Sequence, residues 1–538
     1  MNFAAWEEEL QDDVDRTFIL NGIKNGFDII DPALSLKAIE LDNHFSASEA
    51  SDLYEKATSQ MLQEIELGNY VHAPCPPTIV SPLGVIPKSD GGVRLIHDCS
   101  RPKGFSVNDY ETDLEKHRYQ SVDDACKLVE KGSYLAKIDL KSAYRSIPIS
   151  KHSMKVTGLK WKINSIWQYF YDSKLPFGSR AAPGIFHRLS QAVRRMMSRQ
   201  GFIVVVYLDD FLICEKTKNR CALAMRFLIS LLRKLGFSIN WKKVVDPSQV
   251  LVFLGIEIDT VKLELRLPED KLMQLKDELA SFMQRRRASK RQLQSLVGKL
   301  NWAAAVVYGG RVFLRRIINS FSPLKHKAHK TVITPALRAD IEWWHTFMSS
   351  FNGHSLMLHK NPITTVHTGA CVEGGAGSWL QDWFYCNWQM DCPSAANMHI
   401  NEKETLAIVL AALRWSKYWA NHNVWIFCDN SATVACINKG SSKNKTLMDY
   451  IRVLFWLSAK NNFRLIAKHI PGKENVLADQ LSRLHEQPAF SQIVDKTGCT
   501  TTNSFAYASY GHMSKATSAL LFRRHAPRHQ SQFRCHCG

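Results

Sequence analysis

The clearest pattern in the chain is a run of β-forming residues interrupted by two acids. Residues 204–207 and 211–213 are almost continuously apolar, and they flank Asp209 and Asp210. Because Asp is a poor strand residue but a good turn residue, this pattern predicts a strand, a tight turn and a returning strand. An exposed hairpin would alternate polar residues along its strands, so the apolar flanks favour a buried one. Two buried carboxylates need a positive partner, and a divalent cation is the usual one.

A second predicted strand brings a third acid. Residues 134–140 alternate, which places Ile138 and Leu140 on one face and Lys137 and Asp139 on the other. If this strand neighbours the hairpin, Asp139 meets the two hairpin acids in one cluster. Such a cluster again predicts bound cations.

Two more segments have patterns that suit contact with a ligand. Residues 82–88 and 93–96 are predicted to be strands around an Asp-Gly turn, with Lys88 and Arg94 at the roots of that turn. The two basic side chains would lie close together across the ladder and could hold a phosphate chain. Residues 174–186 form a Pro- and Gly-rich loop that opens a helix, and its small residues let a ligand approach the backbone.

Charge is distributed unevenly along the chain. Residues 1–75 are predicted to be an acidic, mainly helical arm, in which Ser46 or Ser48 can cap a helix. Residues 1–70 have a net charge of −11 and the whole chain has +19, so the remainder carries +30. A basic body of this size favours a polyanionic partner, with nucleic acid as the leading candidate, over a merely soluble basic protein.

Length and cysteine usage set broad limits on the class of protein. A chain of 538 residues should hold about three to four domains. The 13 cysteines lack zinc-type pairs and mostly have apolar neighbours, which favours a reducing compartment. The N-terminus is too acidic for a signal peptide, and no run of about 18 uncharged apolar residues occurs. We therefore expect an intracellular protein, cytoplasmic or nuclear, that does not enter a membrane.

Residues 356–485 change to alternating strands and helices that carry a second set of acids. A buried strand ends at Asp429, and Glu404 lies in the first turns of a long apolar helix. Asp479 lies in a short helix that follows a loop beginning at His469.

The ordered patterns before residue 260 resemble the palm of reverse transcriptases. The order of the motifs is that of retroelement polymerases. The basic hairpin comes first, then the strand with Asp139, the loop at 174–186, the acidic hairpin, Lys243 and a primer-grip strand at 253–255. Five motifs in the right order are a far more specific signal than one. The resemblance implies an α+β multidomain fold: a right-hand polymerase with fingers, palm and thumb, followed by a ribonuclease H-like α/β domain.

The same resemblance implies a two-metal polymerase site. The implied ligands of two Mg²⁺ ions are Asp139, Leu140, Asp209 and Asp210. The implied substrate-binding residues are Lys88, Arg94, Tyr144, Phe177, Gly178 and Lys243. Among these, Lys88 and Arg94 would clamp a triphosphate and Lys243 would protonate the leaving group. The ring of Tyr144 would crowd the sugar 2′ position and favour deoxynucleoside triphosphates, which would be added to a DNA primer on an RNA template.

Residues 356–485 resemble the ribonuclease H fold, with one departure. Glu404, Asp429 and Asp479 fall on three of its four metal-binding positions, and His469 falls on its flexible catalytic histidine. Gly369 stands where the first strand normally ends in Asp, and Glu373 nearby is expected to point into a turn. Losing such a ligand costs about a thousandfold in rate or more. We therefore expect doubtful metal occupancy and weak or absent cleavage, with binding of an RNA–DNA hybrid retained.

The wording of the later motifs narrows the family. The sequences around Glu404, His469 and Asp479 are similar to those of tyrosine-recombinase retrotransposons (DIRS group) and, more distantly, of gypsy-like elements, so other element-encoded proteins are possible partners; the oligomeric state stays open. The expected domains are a helical arm at 1–75, fingers and palm at 76–260, thumb and connection at 261–355, the ribonuclease H-like domain at 356–485 and a disordered tail at 486–538.

Two other interpretations of the sequence stay open. A decayed or repurposed copy that binds nucleic acid without catalysis would explain Gly369 and the unusual C-terminal residues, but the polymerase acids are intact. An RNA-directed RNA polymerase without a nuclease domain would disagree with residues 356–485 and with Tyr144.

Overall fold

The computed structural model describes residues 1–88, 91–111, 117–351 and 354–486. Most of the turn expected around Asp90 and the tail expected after Glu486 therefore lie outside the described residues. The chain divides into two units, the first made of Met1–Leu254 with Ile258–Val261 and the second of Gly255–Glu257 with the residues from Lys262 onward. Within the described ranges, no helix has both the length and the apolar character that crossing a bilayer requires.

The first unit mixes helices with short strands. Its helices are α1 (Phe3–Glu9), α2 (Arg16–Asn25), α3 (Tyr54–Glu66), α4 (Val107–Tyr110), α5 (Val122–Leu128), α6 (Lys151–Met154), α7 (Ala182–Arg199) and α8 (Lys218–Leu235). Its strands are β1 (Ile39–Glu40), β2 (Tyr70–Ala73), β3 (Ile79–Val80), β4 (Leu83–Pro87), β5 (Val93–His97), β6 (Tyr134–Asp139), β7 (Gly158–Ile163), β8 (Ile166–Asp172), β9 (Val204–Tyr207), β10 (Asp210–Glu215), β11 (Val245–Ser248) and β12 (Val250–Phe253). The chain passes from one unit to the other within the next strand, β13 (Ile256–Asp259).

One sheet of the first unit carries the acidic hairpin, in the strand order β11-β6-β10-β9. Strands β9 and β10 form the hairpin, and Val205, Val206, Phe211 and Leu212 are fully buried. Helices α7 and α8 pack against this sheet. The apolar flanks therefore lie in the core, as their pattern predicts.

Most of the other strands of the first unit form a second sheet and a hairpin. The second sheet has the order β1-β3-β7-β8-β2, and β4 pairs with β5. The long helices have ordinary end signals: Pro183 lies in the first turn of α7, and Thr217 caps α8 by accepting the N–H of Arg220. Gly236 ends α8 with a φ of 94°, which glycine adopts without strain.

The acidic N-terminal residues pack on α7 and α8. Trp6 is fully buried, and its indole N–H donates to the carbonyl oxygen of Leu235 over 3.0 Å. Asp13 and Asp15 both form ion pairs with Arg195 of α7. Part of the unusual acidity of this segment is therefore neutralised within the first unit.

The cap expected at Ser46 or Ser48 is wrong. Helix α3 begins only at Tyr54, and its N-cap residue is Leu53, whose N–H donates to the hydroxyl of Ser51 over 3.3 Å. The Ser46 hydroxyl instead accepts the N–H of Val85 in strand β4 over 3.0 Å. A tertiary contact therefore uses the oxygen that the local pattern assigned to a cap.

The second unit contains long helices followed by a mixed sheet. Its helices are α9 (Glu269–Gln284), α10 (Lys290–Ala303), α11 (Arg315–Phe321), α12 (Pro335–Phe351), α13 (Trp388–Asp391), α14 (Ile400–Trp415), α15 (Ser431–Lys439), α16 (Lys445–Asn461) and α17 (Val476–Ser482). Its strands are β14 (Glu264–Arg266), β15 (Arg287–Ser289), β16 (Lys330–Val332), β17 (His354–Leu356), β18 (Ile363–Ala370), β19 (Gly374–Trp379), β20 (Asp382–Asn387), β21 (Asn423–Cys428) and β22 (Arg464–His469).

The mixed sheet of the second unit has the order β20-β19-β18-β21-β22. The β20–β19 and β19–β18 pairs are antiparallel, whereas the β18–β21 and β21–β22 pairs are parallel. Helix α14 is buried on most sides, which its nearly continuous apolar sequence predicts. Helix α12 is joined to α16 by a buried ion pair between Asp340 and Arg452. The limits of the separate domains expected from the sequence stay predictions.

Candidate active site

The acids predicted to form the first site meet at one end of the β6–β10 pair. Asp139 is the last residue of β6, and Asp210, the first residue of β10, lies directly opposite it. Asp210 also pairs with Tyr207, so Leu208 and Asp209 form the turn of the hairpin. The antiparallel register thus gathers acids that are 70 residues apart in the sequence.

The turn of the hairpin is held by main-chain contacts. Leu208 adopts a φ of 51°, a left-handed conformation that is uncommon for residues other than glycine. The N–H of Leu140 donates to the carbonyl oxygen of Asp209 over 3.1 Å. The side chain of Gln120 accepts the N–H of Val206 over 2.9 Å. The strands fix the position of Asp209 because they are buried and hydrogen-bonded on both sides of it.

Two lysines and one asparagine compensate the negative charge. Lys243 donates to Oδ2 of Asp139 over 3.0 Å, and the side-chain amide of Asn240 donates to Oδ1 over 2.9 Å. Lys137 lies 3.3 Å from Oδ1 of Asp210. Burial lowers the pKa of Lys243. The hydrogen bond to Asp139, together with the negative charges of the three acids, outweighs this effect and raises the pKa above its usual value.

The hairpin acids themselves hold their protons more tightly than free aspartate does. Burial raises the pKa of Asp209, and the charges of Asp210 and Asp139 add to the effect. Burial also raises the pKa of Asp210, where Lys137 opposes it and Asp139 adds to it. The partly buried cluster therefore keeps an excess of negative charge. A hard cation bound by the carboxylates would reduce the repulsion between them.

The donor set suits such a cation. Asp139, Asp209 and Asp210 offer carboxylate oxygens, and Leu140, whose side chain is buried, could offer only its carbonyl oxygen. The three carboxylates do not all lie within 4.8 Å of one another, since Asp139 and Asp210 are directed to their own lysines.

Three of the predicted substrate-binding residues, Arg94, Phe177 and Tyr144, form a series of contacts. The guanidinium of Arg94 lies 5.5 Å from the ring centre of Phe177, whose ring lies 5.5 Å from that of Tyr144. Tyr144 in turn lies 5.6 Å from Phe186. Burial raises the pKa of Tyr144, and the charge of Asp209 adds to the effect. The structure therefore brings Tyr144 near Asp209 and connects it through Phe177 to Arg94.

Lys88, directly after strand β4, and Arg94, in strand β5, lie on the two arms of the β4–β5 hairpin. Arg94 lies opposite Ile86, whereas Lys88 donates its main-chain N–H to the carbonyl oxygen of Gly92. The two basic residues are therefore diagonal neighbours on one face of the hairpin and not a direct pair. Both are exposed.

Gly178 occupies a place that no other residue could fill. Its φ is 130°, and a Cβ atom there would lie 1.9 Å from the carbonyl oxygen of His97. The N–H of His97 also donates to the carbonyl oxygen of Phe177 over 3.0 Å. The loop thus lies against strand β5 as closely as the backbone allows.

Sequence patterns missed the residues that hold this loop. The carboxylate of Glu111 accepts the hydroxyl of Ser179 over 2.6 Å and the N–H of Ala181 over 2.8 Å. Asn108 donates to the carbonyl oxygen of Gly178 over 3.1 Å. Burial raises the pKa of Glu111 to about 7, although these hydrogen bonds oppose the shift. Glu111 stands alone among polar residues, so no local signal distinguished it.

A second group of acids lies in the second unit. Among the residues that the structure describes, Glu404, Cys428 and Asp429 form the group whose ligand atoms all lie within 4.8 Å of one another. Glu404 accepts the N–H of Ala370 over 3.0 Å. Burial raises the pKa of Glu404 to about 8, with Asp429 adding to the effect. Cys428, which the sequence suggested only as a buried thiol, is an unexpected member.

The other predicted members of this group lie nearby. Burial raises the pKa of Asp429, and the charge of Asp479 adds to the effect while His469 opposes it. Asp479 is half-exposed in α17 and accepts a hydrogen bond from Arg483 over 3.2 Å. His469 is exposed at the end of β22, opposite Cys428.

Gly369 lies beside these acids without contributing a ligand. It is in β18, one residue before Ala370, and a Cβ atom there would lie 3.4 Å from the main chain of Ala478. Glu373 lies in the turn after β18, mostly exposed, and forms an ion pair with His485 over 2.9 Å. Neither residue supplies a fourth acid to the group.

Glu111 leads to a testable pH dependence. The folded carboxyl keeps its proton up to a pKa of about 7, whereas an ordinary glutamate releases it near 4.5. Folding therefore binds a proton between these values, so the contribution of Glu111 to stability is lost as the pH rises through this window. We expect urea unfolding of the wild type to lose on the order of 3 kcal/mol more between pH 4.5 and 7.5 than that of Glu111→Gln.

The exposed Glu66 at the end of α3 offers a matched control. Glu66→Gln should keep the wild-type pH dependence. Equal dependence in wild type and Glu111→Gln would contradict the assignment.

Comparison with known proteins identifies the central part of the chain. Residues 86–258 match the family model described as reverse transcriptase (RNA-dependent DNA polymerase). The enzymatic polyprotein of Cauliflower mosaic virus (strain D/H) is 23% identical over 374 residues, 67% of this chain and 52% of the polyprotein. The putative enzymatic polyprotein of Cassava vein mosaic virus is 24% identical over 375 residues, 65% of this chain and 52% of that protein. The chain thus spans about half the length of these relatives.

Solved structures share the fold at low sequence identity. A foamy viral protease-reverse transcriptase in complex with dsDNA has a TM-score of 0.52 and 15% identity, covering 87% of this chain and 97% of the other. The same type of protein in complex with an RNA/DNA hybrid has a TM-score of 0.51 and 15% identity, covering 87% and 63%. The predicted fold class, a multidomain polymerase fold with a further domain, is confirmed. Residues 86–258 thus match the reverse transcriptase family, and about two thirds of the chain is similar in sequence to the enzymatic polyproteins of these plant viruses.

Proposed function

We propose that this chain is an RNA-directed DNA polymerase of a retroelement, which extends a DNA primer on an RNA template. The observation that carries the proposal is the register that sets Asp139 against Asp210 beside Asp209, inside the segment that matches reverse transcriptases. The dsDNA and RNA/DNA hybrid bound by the foamy viral proteins support the proposed nucleic acid partners. We further propose that the reaction takes place inside a cell, in the cytoplasm or the nucleus.

The proposed division of roles follows from the contacts. Asp139 and Asp209 would hold the cations, and Asp210, already paired with Lys137, would contribute less directly. When bound, two Mg²⁺ ions would activate the primer 3′-hydroxyl and stabilise the pyrophosphate leaving group. Lys243, a charged amine next to Asp139, is placed to give a proton to that leaving group.

The substrate would be oriented by residues outside the acidic cluster. Lys88 and Arg94 present two exposed cations on one face of the β4–β5 hairpin, where a triphosphate could bind them. Phe177 and Gly178 bring their loop against the same hairpin and would shape the site for the paired template base and nucleotide. The deoxynucleoside triphosphate would therefore lie between the hairpin and the acids.

The direct test is primer extension on an RNA template with deoxynucleoside triphosphates and Mg²⁺. The wild type should extend the primer, and Asp209→Asn should lose on the order of a thousandfold in rate, because it removes a ligand charge. The exposed Asp246 on β11 of the same sheet provides the control, and Asp246→Asn should retain activity. A wild type that binds the primer-template but never extends it would instead support a decayed copy.

Tyr144 should determine the choice of sugar. Its ring packs against Phe177 next to the acids, where the 2′ position of a nucleotide would lie. Tyr144→Ala should increase incorporation of ribonucleotides relative to deoxynucleotides by about tenfold or more, since it opens space for a 2′-hydroxyl. Single-nucleotide incorporation with each sugar type measures this ratio, and Phe186→Leu, which alters the other side of the ring, serves as the packing control. Unchanged discrimination in Tyr144→Ala would refute the role.

We further propose that residues 356–485 are a ribonuclease H-like domain with impaired cleavage. Glu404, Asp429, Asp479 and His469 would act in the hybrid-cleavage site, and Gly369 leaves it one acid short. The narrower assignment to the tyrosine-recombinase retrotransposons rests on the sequences at 399–404 and 469–483.

Restoring the acid should restore cleavage. The wild type should cleave an RNA–DNA hybrid on the order of a thousandfold more slowly than Gly369→Asp. Gly369→Asn adds similar volume without charge and should remain weak. A Cβ atom at this position would be in ordinary van der Waals contact, with its nearest neighbour at 3.4 Å, in both variants. Efficient cleavage of the hybrid by the wild type would contradict the proposal.

A further inference from the structure

Asp139 is the one acid of the polymerase site whose two carboxylate oxygens are both held by side chains. Oδ1 accepts the amide of Asn240 over 2.9 Å and Oδ2 accepts the ammonium of Lys243 over 3.0 Å. We infer that Asn240 is a positioning residue, which fixes the carboxylate of Asp139 for cation binding while Lys243 is exchanged for the cation. This inference rests on the proposed polymerase function and extends it to a residue whose sequence context gave no sign of such a role.

Asn240 is itself held rigidly by the main chain. Its N–H donates to the carbonyl oxygen of Asp139 over 2.8 Å, and its own carbonyl oxygen accepts the N–H of Lys243 over 2.9 Å. One residue earlier, Ile239 forms a bridge with Leu140. The segment therefore runs directly beside the end of β6, and the short side chain of Asn240 has little freedom to leave Asp139.

Lys243 differs from Asn240 in both charge and freedom. Its side chain is 59% exposed and ends a flexible four-carbon stem, whereas the side chain of Asp139 is 4% exposed. A cation arriving at Asp139 repels the ammonium but does not repel the neutral amide. The cation should therefore displace Lys243 from Oδ2 and leave Asn240 on Oδ1, which frees Lys243 for the leaving group.

The side chain of Asn240 can be removed without removing its main-chain contacts. Asn240→Ala keeps the N–H that donates to Asp139 and the carbonyl that accepts from Lys243, so the local fold should persist. The carboxylate of Asp139 would then be free to rotate, and outer contacts of this kind typically change metal affinity by about tenfold or more. Asn240→Leu, which keeps a similar volume without a donor, should have the same effect.

Binding of Mn²⁺ to the full-length protein with primer-template, followed by electron paramagnetic resonance, tests the inference directly. We expect Asn240→Ala and Asn240→Leu to weaken the Mn²⁺ site that is lost in Asp139→Asn by about tenfold. In primer extension, the same variants should need correspondingly more Mg²⁺ for half-maximal rate and approach the wild-type rate at saturating Mg²⁺. A purely structural role would instead lower the rate at every Mg²⁺ concentration and lower the melting temperature.

Ser238 and Lys243 provide controls of opposite kind. Ser238→Ala alters an exposed side chain in the same segment and should change neither measurement. Lys243→Ala removes the competitor for Oδ2 and should tighten Mn²⁺ binding while it slows extension. Wild-type Mn²⁺ affinity in both Asn240 variants, or no Mn²⁺ site in the wild type, overturns the inference. A wild type that binds Mn²⁺ at Asp139 but never extends a primer overturns the proposed function alone.

Discussion

The pairing of β6 with β10 is the constraint on which the proposed polymerase site depends. It places acids from distant parts of the chain side by side at the end of a buried sheet, where like charges repel and water is scarce. The apolar residues of β9 and β10 make the arrangement possible, since their burial stabilises a sheet that the acids alone would destabilise.

The side chains that hold these acids come from two segments of the chain. Lys137 comes from the same strand as Asp139, while Asn240 and Lys243 come from the turn after α8. Each of them forms one hydrogen bond or ion pair with an acid. These contacts hold the carboxylates in position before any substrate binds, so the site is preorganised. In the second unit, burial and the charge of Asp429 raise the pKa of Glu404, which accepts the main-chain N–H of Ala370.

The sequence indicated which acids could lie together at the end of the sheet, because each of them stands out within the pattern of a single strand or turn. Asp139 follows a period-two pattern, and the hairpin acids interrupt a β-forming run. Asn240 and Glu111 could not be found this way, since their partners are 101 and 70 residues distant and depend on how the elements pack. The exact register of the β4–β5 hairpin, in which Arg94 lies opposite Ile86, was not specified by the sequence pattern, because register depends on the turn between the strands.

Gly369 has a consequence for the balance between stability and activity in the second unit. Glu404 is already reluctant to ionise beside Asp429, and a further carboxylate at position 369 would add another like charge to the same group. A domain with glycine there is relieved of that repulsion and depends less on bound cations to remain folded. Sites of catalysis are commonly strained in this way, and removing a functional group tends to stabilise the fold. Position 369 is thus a place where selection for a robust fold and selection for nuclease chemistry would favour different residues.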